Sequence, residues 1–187
     1  KLIDKVDLPK GVINIITGFA DECGQVLTSH KKINRIAFTG GTNTAKHIIH
    51  NSAENLSQVT LELGGKSPVA VFNDANIDNA LNGVTASIFS ASGQSCIAGS
   101  RLYLQKGIYN EFLEKISTKT KNIKIGNPMN AETQMGPLAT LAQLKNIQEQ
   151  VDKTIEEGGK LVTGGKRPKE INIGFYYEPT IIECNNH

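Results

Sequence analysis

The stretch "RIAFTGGTNTAKHI", residues 35–48, carries the strongest fold signal in this chain of 187 residues. A run of β-branched and aromatic residues ends at a glycine pair and a helix-like run begins near Thr42, which predicts a strand followed by a helix. Strand-like and helix-like runs alternate around it, at residues 11–18 (strand), 21–30 (helix), 33–40 (strand), 42–56 (helix) and 58–65 (strand). This alternation predicts parallel strands joined by crossovers, which is half of a doubly wound nucleotide-binding sheet.

The pattern restarts after Gly64 and Gly65, where one strand–helix series ends and another begins. Its predicted elements lie at residues 67–72 (strand), 77–88 (helix), 101–105 (strand), 112–116 (helix), 141–155 (helix), 160–165 (strand) and 176–182 (strand). The predicted fold class is therefore α/β, with a partial Rossmann-like parallel sheet in residues 1–64 and a second α/β region in residues 65–187.

Composition argues against several classes of protein. The net charge is +2 and the lysines are scattered, so no nucleic-acid partner is expected. No apolar run approaches the roughly 20 residues of a membrane helix and no secretion leader is seen, so we expect a soluble, cytoplasmic protein without a membrane partner. The chain starts without methionine and stops just after a strand-like run, which predicts a central piece of a longer protein.

The glycine pair Gly40 and Gly41 has two interpretations. Because glycine lacks a Cβ atom, a ligand can approach the main chain, and the helix start offers free N–H groups to a phosphate. An ordinary strand-to-helix turn favours glycine as well, and both interpretations stay open at this point. Gly18 and Gly24 flank a similar transition earlier in the chain.

Glu62 is an acid in an otherwise apolar strand end, between Leu61 and Leu63. Ligands of open α/β sheets bind beyond the carboxyl ends of the strands, where a glutamate can accept a proton from a substrate or water. The alternatives are a glutamate that points into solvent or one that pairs with Lys66. The residues alone favour neither role decisively.

Cys96, in "SGQSCIAGSR" (residues 92–101), is either a packing residue or a nucleophile. The small residues before it leave room for a substrate, and its own N–H can help to stabilise an oxyanion. With only three cysteines and no Cys-x-x-Cys pair, neither a disulfide framework nor a cysteine zinc site is expected. The chain has four histidines, and none of them has the sequence context of a thiol hydrolase or a metal site: His30, His47, His50 and His187.

Three motifs, "FTGGT", "LELGGKSP" and "GQSCIAGSR", together closely resemble the aldehyde dehydrogenase superfamily in order and spacing. The likeness continues through "GNP", "MGPL" and "GFYYEPTI" and so covers nearly the whole chain. It implies an NAD(P)-dependent oxidoreductase that converts an aldehyde to a carboxylic acid and whose parent protein is a homo-oligomer. Residues 1–64 would be the C-terminal part of its cofactor-binding domain, and residues 65–187 the N-terminal part of its catalytic domain.

The resemblance assigns the chemistry to two residues. Cys96 is implied to be the nucleophile, which forms a thiohemiacetal and then, after hydride transfer to a nicotinamide, a thioester. Glu62 is implied to be the general base that activates the hydrolytic water. The cofactor contacts that it implies are Gly40 and Gly41 on the pyrophosphate side, Leu63 and Gly64 near the nicotinamide, and Gly18 and Gly24 at the neighbouring turn.

The chain departs from the family pattern at three cofactor positions. Gly41 replaces a usual serine, and Ala45 and Ala20 replace usual glycines, so the choice between NAD and NADP stays open. The family's oxyanion-hole asparagine, adenosine-ribose lysine and nicotinamide-ribose glutamate are absent from these 187 residues, so we expect the chain alone to be inactive. Two alternatives remain: a CoA-acylating dehydrogenase, against which Glu62 argues, and a non-catalytic truncated module. No metal is implied, and the identity of the aldehyde is not indicated.

Overall fold

The structure, a computed structural model, describes residues 2–184. The chain forms two compact units, Lys1–Leu63 and Gly64–His187. Both combine helices with short sheets, so the predicted α/β class is confirmed. Among the helices of the described residues, none has both the length and the apolar character that a bilayer span requires.

The first unit is built on a single strand–helix–strand motif. Its elements are a 3₁₀ turn at Ile3–Lys5, a π-helical turn at Ala20–Gly24, helix α1 at Gln25–Ser29, strand β1 at Arg35–Gly40, helix α2 at Thr42–Ser52 and strand β2 at Gln58–Leu63. β1 and β2 are parallel, in a register that pairs Arg35 with Gln58 and Gly40 with Leu63. The predicted helices and the second and third predicted strands are thus confirmed.

One face of this two-stranded sheet is shielded by α2, which contacts both strands. Alternate residues along each strand point to the same face, because the side-chain period of a strand is two. The half-buried positions are Ile36 and Phe38 in β1 and Val59, Leu61 and Leu63 in β2. α2 contributes Ala45 and Ile48, which are 2% and 6% exposed, to the interior.

The predicted first strand, residues 11–18, is wrong. These residues form a turn and irregular backbone, and Ile15 is 83% exposed. The amide of Asn14 donates to the carbonyl of Gly11 (2.9 Å), which is a local turn and not a ladder bond. Since a strand exists only through hydrogen bonds to a neighbouring strand, an apolar β-branched run is not sufficient. Within the part of the chain that the structure describes, no strand pairs with these residues.

The second unit contains two further two-stranded sheets. Its elements are β3 at Pro68–Val71, α3 at Ile77–Phe89, a 3₁₀ segment at Ser90–Gly93, β4 at Arg101–Leu104, a 3₁₀ turn at Lys106–Ile108, α4 at Tyr109–Lys121, α5 at Leu141–Glu156, β5 at Lys160–Thr163 and β6 at Ile181–Glu183. β3 and β4 are parallel, and β5 and β6 are antiparallel. The last predicted strand is therefore confirmed only at its end.

Two hydrophobic clusters hold the second unit together. Phe112 of α4, which is fully buried, packs with α3 and β3 in the first cluster. Tyr177 packs with residues of α5 in the second cluster. Tyr176 and Tyr177 are both buried, at 7% and 5% exposure, and so act as packing residues. Side chains cap the N-termini of α3 and α5. The Asn76 side chain accepts a hydrogen bond from the Asn79 N–H, and the Thr140 side chain accepts one from the Gln143 N–H.

A polar contact joins α4 to the antiparallel pair β5–β6. The Tyr109 hydroxyl donates to the Glu183 carboxylate, which also lies 3.4 Å from the Lys160 ammonium. The hydrogen bond raises the pKa of Tyr109 to about 12 and lowers the pKa of Glu183. Because the donor stays protonated and the acceptor stays ionised around neutral pH, this contact persists there.

Candidate active site

The carboxyl ends of β1 and β2 bring four predicted site residues to one edge of the first unit. The parallel register pairs Thr39 with Glu62 and Gly40 with Leu63. Gly41 follows directly as the first residue after β1. Since both strands run in the same direction, their ends and the turn between β1 and α2 lie at the same edge.

Glu62 is exposed, on the face of β2 opposite the half-buried Leu61 and Leu63. Within residues 2–63 its carboxylate has no hydrogen-bond or ion-pair partner. The Lys66 ammonium donates to the carbonyl of Gly65 (3.2 Å). Glu62 belongs to the first unit and Cys96 to the second.

The glycine pair at the start of α2 leaves main-chain donors open. The first bond inside the helix runs from the Ala45 N–H to the Gly41 carbonyl (3.1 Å), and no side chain caps the helix. The N–H groups of residues 42–44 therefore have no acceptor in the helix, and the positive end of its dipole points the same way. A Cβ atom on Gly41 would meet nothing within 4 Å, so the space above this turn is open.

The other predicted cofactor glycines differ in their surroundings. A Cβ atom on Gly40 would lie 2.5 Å from Cζ of Phe38, so packing also explains this glycine. Gly64 has open space, whereas a Cβ atom on Gly18 would lie 2.9 Å from the Cys23 sulfur. Gly24 ends the π-helical turn that follows Gly18, and a Cβ atom on Gly24 would make only ordinary contact, 3.8 Å from Cβ of Ala20.

Cys96 lies in a tight, exposed turn of the second unit. The turn runs from Ser95 to Ala98 and is closed by a bond from the Ala98 N–H to the Ser95 carbonyl (3.1 Å). The Cys96 side chain is exposed, as is the next residue, Ile97 (78%). Among residues 2–184 the Cys96 N–H donates to no acceptor. In this structure the Cys96 thiol is therefore accessible and lies beside an available main-chain N–H.

Gly99 fixes the exit of this turn. Its N–H donates to the Ser87 carbonyl (3.1 Å), and a Cβ atom on it would lie 2.5 Å from Cγ2 of Val69 and 2.6 Å from Oγ of Ser87. The chain therefore passes between α3 and β3 with no room for a side chain. Sequence reasoning missed Gly99, although a glycine three residues after Cys96 is compatible with a close approach of the main chain to its neighbours.

We expect Gly99→Ala to lower the free energy of unfolding by about 1–3 kcal/mol, since the new methyl group overpacks the gap. A matched control is Gly83→Ala in α3, where a Cβ atom would meet nothing within 4 Å. This control should raise stability by about 0.5–1 kcal/mol because alanine is the better helix former. Denaturant unfolding of the intact protein measures both, and equal effects of the two changes would contradict the proposed packing.

The segment before Cys96 has an unusual backbone. Ala91, Ser92 and Gly93 all have positive φ values, of 50°, 56° and 73°. For Ala91 and Ser92 this left-handed conformation costs roughly 1–2 kcal/mol each relative to a right-handed one. Such a conformation persists only where the surrounding structure holds it. Polar contacts from Ser92 and Gln94 to residues 136–139 provide that hold.

A pocket of about 220 Å³ borders this segment at Ser92 and Gly93. Phe89, Ser92, Leu138 and Tyr177 are among its lining residues, and Cys96 is not. Burial raises the pKa of the Tyr177 phenol to about 12, so this group is neutral at ordinary pH. The pocket therefore borders residues 92–93, which precede Cys96, and not the Cys96 thiol.

The histidines that the structure describes belong to the first unit, whereas Cys96 belongs to the second. His30, His47 and His50 are exposed in the first unit, residues 64–184 contain no histidine, and His187 lies outside the described residues. Within residues 2–184 no cluster of three metal-ligating side chains occurs. The thiol-hydrolase alternative thus has no base within the described part of the second unit.

Comparison with known proteins gives a consistent result over the whole chain. The model of the "Aldehyde dehydrogenase family" matches residues 1–187. A dehydrogenase of Acinetobacter baylyi, named for (Z)-2-((N-methylformamido)methylene)-5-hydroxybutyrolactone, is 52% identical over 99% of this chain and 38% of its own length. An NADP(+)-dependent D-glyceraldehyde dehydrogenase of Picrophilus torridus is 40% identical over 98% of this chain and 37% of its own.

Solved structures agree with the sequence comparison. PnpE from Pseudomonas sp. WBC-3 is 45% identical and superposes with a TM-score of 0.95 over 98% of this chain and 38% of its own. A crystal structure of PnpE in complex with nicotinamide adenine dinucleotide superposes with the same score. The chain thus spans under two fifths of the length of the relatives that it matches.

Proposed function

The chain belongs to the aldehyde dehydrogenase family, and from this premise we propose that the intact protein oxidises an aldehyde to a carboxylic acid with NAD or NADP. The observation that carries the proposal is the accessible Cys96 thiol in a tight turn with an unengaged main-chain N–H. Residues 1–64 would serve as part of the cofactor-binding domain and residues 65–187 as part of the catalytic domain.

Cys96 acts first in the proposed mechanism. Its thiolate attacks the carbonyl carbon of the aldehyde, a carbon–sulfur bond forms, and the carbonyl oxygen becomes the oxyanion of a thiohemiacetal. The Cys96 N–H can donate to this oxygen because no described residue accepts from it. Loss of hydride from the same carbon then leaves a thioester on Cys96.

Glu62 acts second. Its carboxylate takes a proton from water as the water oxygen attacks the thioester carbon, and the carbon–sulfur bond breaks to release the carboxylic acid and the Cys96 thiolate. Splitting the reaction in this way requires a soft nucleophile for the first step and a base for the second. The exposed carboxylate of Glu62, unpaired within residues 2–63, is available for that role.

The residues of the first unit fit a dinucleotide. The N–H groups of residues 42–44 and the open space at Gly41 suit a pyrophosphate, and Leu63 and Gly64 would border the nicotinamide. When bound, the nicotinamide accepts the hydride. Gly41 cannot supply the hydroxyl of the usual serine, so main-chain groups would carry the phosphate contact. Gly18 and Gly24 are proposed only as part of the neighbouring turn.

The cysteines and the exposed apolar side chains bear on the compartment and the oligomeric state of the intact protein. The three cysteines form no disulfide, which fits a reducing compartment such as the cytoplasm. Several large apolar side chains of the first unit are exposed, among them Ile15 (83%) and Phe19 (75%), and need cover from elsewhere in the protein. We propose a homo-oligomer as the state of the intact protein, with a small aldehyde as its substrate and no nucleic-acid or membrane partner.

The direct test is an aldehyde survey with the intact protein, in which reduced cofactor is followed by absorbance with NAD or NADP. We expect cofactor reduction without CoA and a carboxylic acid as the product. A strict requirement for CoA, with an acyl-CoA product, would contradict the role of Glu62 and favour the CoA-acylating alternative. The 187-residue chain alone should show no turnover, since it contains only part of the family's length.

A further inference from the structure

The side chain of Gln94 connects two separate stretches of the second unit. Its amide nitrogen donates to the carbonyl of Ala91 (3.1 Å), and its amide oxygen accepts from the N–H of Ala139 (2.9 Å). The Gln94 main-chain N–H also donates to the Ala91 carbonyl (3.1 Å). Both ends of one amide are thus engaged, one on the left-handed segment and one on a loop 45 residues further along the chain.

Ser92 makes a second connection to the same loop. Its hydroxyl donates to the carbonyl of Gly136 (2.9 Å), 44 residues away in sequence. The left-handed backbone of residues 91–93 is unfavourable for Ala91 and Ser92, so it needs contacts of this kind to persist. Gln94 and Ser92 therefore attach the segment that leads to the cysteine turn to a loop packed elsewhere in the unit.

The turn that carries Cys96 is consequently held at both ends. On the entry side, Gln94 lies two residues before Cys96 and is bonded to Ala139. On the exit side, the Gly99 N–H is bonded to the Ser87 carbonyl. Cys96 itself makes no side-chain hydrogen bond within residues 2–184, so the nearest tertiary contacts of its turn are these two anchors.

We propose that Gln94 is a positioning residue: through its bonds to Ala91 and Ala139 it holds the Cys96 thiol and N–H in the geometry for attack on the substrate carbonyl. This inference rests on the proposed role of Cys96 as the nucleophile. Gln94 contacts neither substrate nor cofactor in this scheme. Its loss should slow the formation of the thiohemiacetal and leave the binding of aldehyde largely intact.

The test uses Gln94→Leu in the intact protein, with Gln105→Leu as the matched control. The Gln105 amide oxygen also accepts a long-range main-chain bond in the same unit, from the Asn73 N–H (2.7 Å), but lies outside the cysteine turn. We expect Gln94→Leu to lower the single-turnover rate of cofactor reduction roughly 10–100-fold, with KM for aldehyde changed less than threefold. Gln105→Leu should leave both values within twofold of the unchanged protein.

Two additional variants separate positioning from general damage to the fold. Gln94→Glu keeps the acceptor for Ala139 but loses the donor to Ala91, so an intermediate rate is expected. Ser92→Ala removes only the bond to Gly136 and should lower the rate a few-fold. Thermal unfolding and the rate of Cys96 alkylation by iodoacetamide, in a background lacking Cys23 and Cys184, are measured for each. A changed alkylation rate in a folded variant is the signature of a displaced thiol.

The outcomes distinguish this inference from the proposed function. An unchanged single-turnover rate and alkylation rate in Gln94→Leu, while Cys96→Ser is inactive, would overturn the positioning role alone. Full activity of Cys96→Ser would overturn the proposed function itself. Equal losses in Gln94→Leu and Gln105→Leu would show a general structural effect and would likewise overturn the positioning role. If Gln94→Leu does not fold, Gln94→Glu takes its place, and an unchanged single-turnover rate in Gln94→Glu would overturn the positioning role.

Discussion

Cys96→Ser is expected to abolish aldehyde oxidation by the intact protein, with turnover falling roughly 10³-fold or more. A serine hydroxyl is far less ionised than a thiol and is a weaker nucleophile toward a carbonyl carbon. Because Cys96 is exposed in a turn, the change should leave thermal stability unaltered. Steady-state and single-turnover cofactor reduction are both measured, and both should be lost because the first covalent step is blocked.

The matched controls are Cys184→Ser, which changes another exposed cysteine, and Cys23→Ser, which changes a half-buried one. Both should retain turnover within about twofold, since neither lies in the turn at residues 95–98. A mass increase on Cys96 after mixing the unchanged protein with aldehyde and cofactor would identify the thioester directly. Activity that survives in Cys96→Ser, or loss that is as large in Cys184→Ser, is incompatible with the assigned nucleophile.

Glu62→Gln is expected to lower steady-state turnover by roughly 10²–10⁴-fold while leaving a first burst of cofactor reduction of nearly normal amplitude. Glutamine has the same shape but cannot take a proton from water, so the reaction stops at the thioester on Cys96. Rapid mixing separates the burst from the steady state, and acid quenching retains the acylated protein. Accumulation of the acyl species is the positive result, since a disrupted fold would lose the burst as well.

Glu54→Gln is the matched control, because Glu54 is another exposed glutamate of the first unit, in the turn after α2. It should leave both phases unchanged. Steady turnover that survives in Glu62→Gln would show that another group activates the water. A simultaneous loss of burst and steady state in Glu62→Gln would instead place the residue in the first step.

Local sequence patterns predicted a strand correctly where a second strand of this chain pairs with it. Strand β1, helix α2 and strand β2 follow from an apolar run, a glycine pair and a second apolar run, and each agrees with the structure to within a few residues. Residues 11–18 have an equally apolar pattern and are not a strand. The difference is the partner strand, which a local pattern does not contain.

The candidate site divides in the same way. Glu62 and Cys96 stand out as residue types in unusual surroundings, and the family motifs assign their roles. The segment that leads to Cys96 does not stand out, because the residues "SASGQS" (90–95) do not predict positive φ values at Ala91 and Ser92. Propensity disfavours that conformation, and it is maintained by bonds from Gln94 and Ser92 to a loop more than 40 residues away.

The amino-acid sequence by itself determined the α/β class and the order of helices and strands after residue 20, because both follow from short-range periodicity. The roles proposed for Cys96 and Glu62 come from the resemblance of their motifs to the family. Tertiary structure alone decided that residues 11–18 are unpaired, that Gly99 passes between α3 and β3, and that Gln94 anchors the cysteine turn. These features are contacts between distant parts of the chain, and their free energy exists only after the chain has folded.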